Sequence, residues 1–116
     1  MASADDARRL ALGLPETSEK PCYGTPGFYV RKHLFARLRG DGTLVVKVEA
    51  GERDLLMGSE PDVFFITDHY RDYEAYVLVR LDAIEPDELL EVLTDSWRIA
   101  APKRVRAAFD AEHPAA

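Results

Sequence analysis

The chain contains a single cysteine, Cys22. An internal disulfide is therefore impossible, and a zinc site built from several thiolates of one chain is excluded. The three histidines, His33, His69 and His113, have no spacing suited to a metal centre, so no metal and no cofactor are expected. No apolar run approaches the ~20 residues needed to cross a bilayer, and no membrane partner is expected. Gly24-Thr25-Pro26-Gly27 lacks the glycine-lysine-serine/threonine ending of a phosphate loop, and no glycine-flanked serine marks an activated nucleophile. Positive charge is outnumbered as well. Fifteen Lys and Arg against 21 Asp and Glu leave a formal charge of −6 and a pI near 5.0. That balance disfavours indiscriminate adhesion to nucleic acid or anionic lipid. The segment Met1-Ala2-Ser3-Ala4-Asp5-Asp6 is acidic where a secretory signal is basic and then apolar, so a cytoplasmic location is expected.

What is present suits one compact domain spanning residues 1–116, with 47% hydrophobic and 31% charged residues. Such a domain buries about two-thirds of the surface of its unfolded chain and needs no covalent staple. Ser3 with Asp6 three residues on marks a helix start, and Ala7, Leu10, Ala11 and Leu14 share one helical face until Gly13 and Pro15 end it. Glu16 to Pro21 reads as a polar connector. Strands are predicted over Phe28–Arg31, Leu34–Arg39 and Thr43–Val48, the last two joined by the hairpin signal Gly40-Asp41-Gly42. A short helix over Glu52–Met57 ends with Gly58 in its C′ position. Val63–Ile66 and Tyr76–Leu81 read as strands four and five, with a polar, aromatic loop between them. Pro86 opens a long helix that carries Leu89, Leu93, Trp97 and Ala100 at helical spacing, and a last helix covers Lys103–Asp110. The expectation is an α+β, two-layer domain. It has a five-stranded antiparallel sheet with helices on one face, in the order α-β-β-β-α-β-β-α(α).

Strand alternation sorts the side chains into two faces. Phe28, Val30, Leu34, Ala36, Leu38, Leu44, Val46, Val48, Val77, Val79 and Leu81 carry no charge and should pack under the helices. The other face holds Tyr29, Arg31, Phe35, Arg37, Arg39, Lys47, Tyr76 and Arg80, together with Thr43, Val45 and Leu78. Five cations interleaved with aromatics, without an acid, is the combination by which a sheet neutralises phosphates and stacks on bases. The same pattern also describes a solvated face whose arginine stems cover rings, or a surface for self-association. A second basic cluster, Arg98, Lys103, Arg104 and Arg106, lies around the start of the last helix, where free amides favour an anion. Lys103 and Arg104 oppose the helix dipole there.

Asp68, His69 and Tyr70 stand at the edge of the apolar run Val63-Phe64-Phe65-Ile66 and form a candidate loop site. A carboxylate orienting an imidazole is the arrangement of a general base, although neighbours in one loop rarely hold that geometry. Turn hydrogen bonds from Asp68 are the structural alternative. Cys22 reads as a small, semi-buried residue and Trp97 as a core anchor.

Tyr23-Gly24-Thr25-Pro26 with Phe28, Leu34-Phe35-Ala36-Arg37-Leu38, Val63-Phe64-Phe65, and Trp97 followed by Ala101-Pro102-Lys103-Arg104 resemble the MmcQ/YjbR family of small bacterial proteins, over roughly residues 7–109. The resemblance implies an antiparallel sheet covered on one side by helices, similar to type III secretion chaperones and CyaY-like domains. Its members are commonly labelled DNA-binding, sometimes as double-wing proteins, a label that rests on fold comparison. The resemblance supplies no catalytic residues. The expected function is a non-enzymatic bacterial binding module for nucleic acid or another polyanion. Arg31, Arg37, Arg39, Lys47 and Arg80 then meet phosphates, Tyr29, Phe35 and Tyr76 stack, and Lys103 and Arg104 make a second anion contact. The alternatives are a protein-interaction or chaperone-like domain, including self-association, and a small-anion or metabolite site formed by His69, Tyr70 and Lys103.

Overall fold

A computed structural model of the chain describes residues 1–113. The elements run α1 (Ala4–Leu12), β1 (Thr17–Cys22), β2 (Thr25–Val30), β3 (His33–Leu38), β4 (Thr43–Lys47), α2 (Glu52–Ser59), β5 (Phe64–Phe65), β6 (Tyr76–Arg80), α3 (Pro86–Ala100) and α4 (Lys103–Glu112). Short 3₁₀ turns cover Asp68–Tyr70 and Leu81–Ala83. The architecture is α+β, as expected. The sheet has six strands rather than five, in the order β1-β2-β3-β4-β6-β5, and every neighbouring pair is antiparallel.

The added strand is β1, over residues expected to be a polar connector. Its four central residues are exposed and Pro21 lies within it, so neither apolar alternation nor propensity marks it. Its pairing comes from the turn that follows. Tyr23 (φ 52°) and Gly24 (φ 82°) both adopt left-handed backbone, the twist that folds two strands tightly back on each other. Thr17–Cys22 then pairs with Thr25–Val30 without a break. At the opposite edge, β5 is shorter than the predicted Val63–Ile66: it covers Phe64 and Phe65, one further cross-strand bond runs from Arg80 N–H to Val63 O at 2.8 Å, and the chain leaves the sheet after Phe65. Gly58 lies inside α2, and Glu60 caps its end.

The core lies between the sheet and α1, α3 and α4. Of the eleven residues assigned to the helix side of the sheet, all but Leu34 are buried. Trp97 sits at the centre, fully buried; its indole N–H donates to Pro15 O at 2.9 Å, and its ring lies 4.9 Å from that of Phe109. Ser96 Oγ donates to Lys47 O at 2.7 Å, which ties α3 to the end of β4. The capping box at Ser3 forms as the sequence suggests. No helix among the described residues is long and apolar enough to cross a membrane.

One irregularity re-aims a strand. The β2–β3 register pairs Phe28 with Ala36 but Tyr29 with Leu34, so Phe35 is an extra residue in a bulge. The bulge turns Phe35 under the helices, where it is fully buried, and moves Leu34 to the open face. Strict alternation assigned these two residues the other way round. Phe35 is therefore a core residue and offers no stacking surface.

Candidate functional site: a tyrosine-walled cleft on the open face

The face of the sheet away from the helices is not bare. The loop between β5 and β6 folds back across it, and Leu78, on that face of β6, is fully buried. The loop is held by Arg53 on α2. Its guanidinium donates to the carbonyls of Tyr70 at 2.8 Å, Tyr73 at 3.1 Å and Arg71 at 3.1 Å, and the residue is only 8% exposed. A cation bonded to three carbonyls in one loop fixes the backbone that carries His69, Tyr70 and Tyr73.

Between this loop and the β1–β2 turn lies a cleft of about 660 Å³. Leu34, Ala36 and Val45 line it from the sheet. His69, Tyr70, Tyr73 and Tyr76 provide the aromatic wall, and Cys22 and Tyr23 the opposite rim. The rings support one another: His69 meets Tyr70 edge-on at 4.8 Å and Tyr73 at 5.6 Å, and Tyr70 lies 6.3 Å from Tyr76. Gly27 permits the close approach of strands beside the cleft. A Cβ there would fall 2.9 Å from Cys22 Cβ and 3.2 Å from Leu34 Cδ1. Burial, first of all, pushes the Tyr76 phenol above its ordinary pKa, and burial followed by its contact with the Cys22 thiol does the same for Tyr29. These phenols therefore act as neutral hydrogen-bonding and stacking groups.

Arg37 is the permanent cation of the cleft. It donates to Tyr70 Oη at 2.7 Å and Thr25 Oγ1 at 3.2 Å. No carboxylate among the described residues pairs with it.

The other predicted cations are distributed differently. Arg31, at φ 54° in the β2–β3 turn, pairs with Glu16 at 2.8 Å. Arg39 pairs with Asp41 at 3.4 Å. Arg80 lies 4.0 Å over the Phe65 ring and donates to Pro61 O and Asp62 O at the β5 edge. Lys47 lies 6.0 Å over Tyr76, and Lys20, from the unexpected β1, 5.7 Å over Tyr29. In the second cluster, Arg98 is bonded to Asp110, and Arg106 donates to Arg98 O at 3.1 Å. Lys103 and Arg104 are exposed at the start of α4, and neither lines the cleft. His69 and Tyr70 thus come together without Lys103.

The adjacent Asp68 and His69 do not form a base pair. The Asp68 carboxylate is bonded to Arg71 at 2.5 Å instead. No group of three or more His, Cys, Asp and Glu side chains fit to hold a metal occurs among the described residues. Sequence reasoning did not single out Arg53, Tyr23 or Gly27. Gly24-Thr25-Pro26-Gly27 has turn-forming composition, but the turn falls at Tyr23-Gly24 and Thr25–Gly27 belong to β2; nothing in Glu52-Arg53-Asp54 marks the central residue as the buried one.

Comparison with known proteins agrees with this architecture. The uncharacterised proteins Rv2570 of Mycobacterium tuberculosis and Mb2600 of Mycobacterium bovis are each 34% identical to the chain, over 94% of it and 96% of their own length. The crystal structure of DR2400 of Deinococcus radiodurans, with a DUF419 domain, superposes with a TM-score of 0.75. It covers 97% of this chain and 88% of that one at 23% identity, and so supports the fold alone. The sequence profile of the YjbR family matches residues 12–99, and the chain belongs to that family.

Proposed function

We propose that this protein is a non-enzymatic binding module whose working site is the tyrosine-walled cleft, and that the cleft takes a small planar group. One observation carries the reading: an apolar floor, a ring-lined wall and one guanidinium without a carboxylate converge on a concavity of about 660 Å³. That volume lies within the range of small-molecule sites, roughly 300–1,000 Å³, and a few placed polar groups on apolar walls are their usual composition. The engagement of Asp68 with Arg71 argues against base catalysis by His69. The test is an amide NMR titration with a panel of planar aromatic compounds. Shifts concentrated at Cys22, Leu34, Val45 and Tyr76 are expected. A panel that leaves those four amides unmoved at millimolar concentration refutes the reading.

A second reading, single-stranded nucleic acid with one base in the cleft, is favoured by a specific pattern. Lys20, Arg37 and Lys47 each lie against a tyrosine, respectively Tyr29, Tyr70 and Tyr76, and none of them pairs with a carboxylate among the described residues. Three phosphate contacts give a logarithmic salt slope of only about −2 on a single strand. Oligonucleotide titrations at two salt concentrations, repeated with Arg37→Glu and Lys47→Glu, test it. Affinity that ignores salt, or survives both substitutions, removes this reading and leaves the first intact.

A further inference from the structure

The cleft's charge identifies its ligand more closely, and this step rests on the reading of the cleft as the working site. We infer that the cleft selects an aromatic or heteroaromatic ring bearing a single carboxylate, with the ring against the tyrosine wall and the carboxylate on Arg37.

Arg37 uses two N–H groups, on Thr25 Oγ1 and Tyr70 Oη. A guanidinium has five, so three remain for a ligand. Both present partners are neutral hydroxyls, and they orient the fork without compensating its charge. The side chain is half-buried, where an uncompensated charge is costly and a matching anion is favoured more than in water. A carboxylate matches the planar fork in shape as well as in charge.

The rest of the lining narrows the class. It contains no Asp or Glu to oppose an anion and no lysine to add a second permanent positive charge. It also contains no residue of a long helix's first turn, the usual supplement at phosphate sites. A phosphate dianion would leave part of its charge unmatched there. A neutral ring would leave Arg37 unmatched, and a cationic ring would be repelled by it. The tyrosine wall supplies the complementary requirement for a flat, apolar face.

The test compares four probes of one size by amide NMR titration: 2-naphthoate, 2-naphthamide, 2-naphthyl phosphate and 2-naphthylmethylamine. The carboxylate is expected to bind at least tenfold more tightly than the amide and the amine, and no less tightly than the phosphate. Arg37→Gln should abolish the preference for carboxylate over amide while leaving the emission of the buried Trp97 unchanged, as a check of folding. Arg37→Lys, which keeps the charge and loses the fork, should retain only part of the preference. Equal binding of carboxylate and amide in the cleft overturns this inference while the small-ligand reading stands. So does tighter binding of the phosphate, or a preference that survives Arg37→Gln. Failure of all four probes to move the cleft amides overturns both.

Discussion

Replacing Arg53 by methionine isolates what holds the cleft's aromatic wall in place. Methionine keeps much of the aliphatic stem, so the change is mainly the loss of the guanidinium and its three bonds to the carbonyls of Tyr70, Arg71 and Tyr73. A hydrogen bond from a charged group contributes ~1.5–3 kcal/mol net. The three do not add fully, because the freed carbonyls belong to a surface loop and regain water, so a total near 3 kcal/mol is expected. At ~2.1 cal/mol/K per residue, 116 residues carry an unfolding entropy of about 0.24 kcal/mol/K, and the melting temperature should fall by about 12 °C. Trp97, the only tryptophan and fully buried, reports the transition by the red shift of its emission. Exchange of the Tyr73 and Tyr76 amides, which bond Tyr70 O and Tyr73 O, should accelerate more than that of the β3–β4 amides. Because Arg53 has no carboxylate partner among the described residues, the loss should be the same from pH 5 to pH 8. A fall below about 2 °C, with loop exchange unchanged, would refute the idea that this one side chain braces the loop.

Three further outcomes are expected. Gly27→Ala places a methyl 2.9 Å from Cys22 Cβ, so the variant should lose roughly 1–3 kcal/mol in urea unfolding, whereas Gly40→Ala, with nothing within 4 Å of the added methyl, should not. Phe35→Ala should cost about 3–5 kcal/mol and Tyr29→Ala clearly less; equal costs in the same assay would contradict the bulge that buries Phe35. Burial, then the charges of Glu52 and Glu91, hold the Asp95 carboxyl above its ordinary value of 3.8. The folded state thus binds a proton more readily than the unfolded state, and ionised Asp95 opposes folding at neutral pH. Asp95→Asn should therefore raise the melting temperature at pH 7, and the gain should vanish as the pH falls below 3.8, where both states hold the proton. A gain independent of pH would contradict this.

The legible parts of the molecule were those that depend on local pattern. Helical spacing of Leu89, Leu93 and Trp97 located α3 and its buried side, and alternation in Thr43–Lys47 and Tyr76–Arg80 placed Leu44, Val46, Val77 and Val79 in the core beneath the helices, while Val45 and Leu78, assigned to the open face, are buried too. The candidate loop was legible as well, since carboxylate, imidazole and phenol follow an apolar run, and His69 and Tyr70 do line the cleft. Illegible were features whose cause lies elsewhere in the chain. β1 is a strand because β2 offers it an edge, and its own residues remain mostly exposed. Phe35 reverses its face because of one extra residue in the pairing, and a parity argument has no access to register. The predicted basic face divides in the structure: Arg31 lies in the β2–β3 turn, Arg80 turns to the β5 edge, and Glu16 and Asp41 arrive from turns to pair with Arg31 and Arg39.

Composition and periodicity by themselves determined an α+β layer pair, its helix-covered side, and the exclusion of an internal disulfide and of a metal site built from several thiolates. These follow from one cysteine and from apolar spacing, which act through neighbours near in sequence. Tertiary structure alone decided that Arg37 keeps its charge unpaired while Arg31 and Arg39 do not. It alone decided that Arg53 is buried beneath a loop some twenty residues away, bonded to Tyr73 O. Ion pairing and desolvation depend on distances through space, and those exist only once the chain has closed on itself.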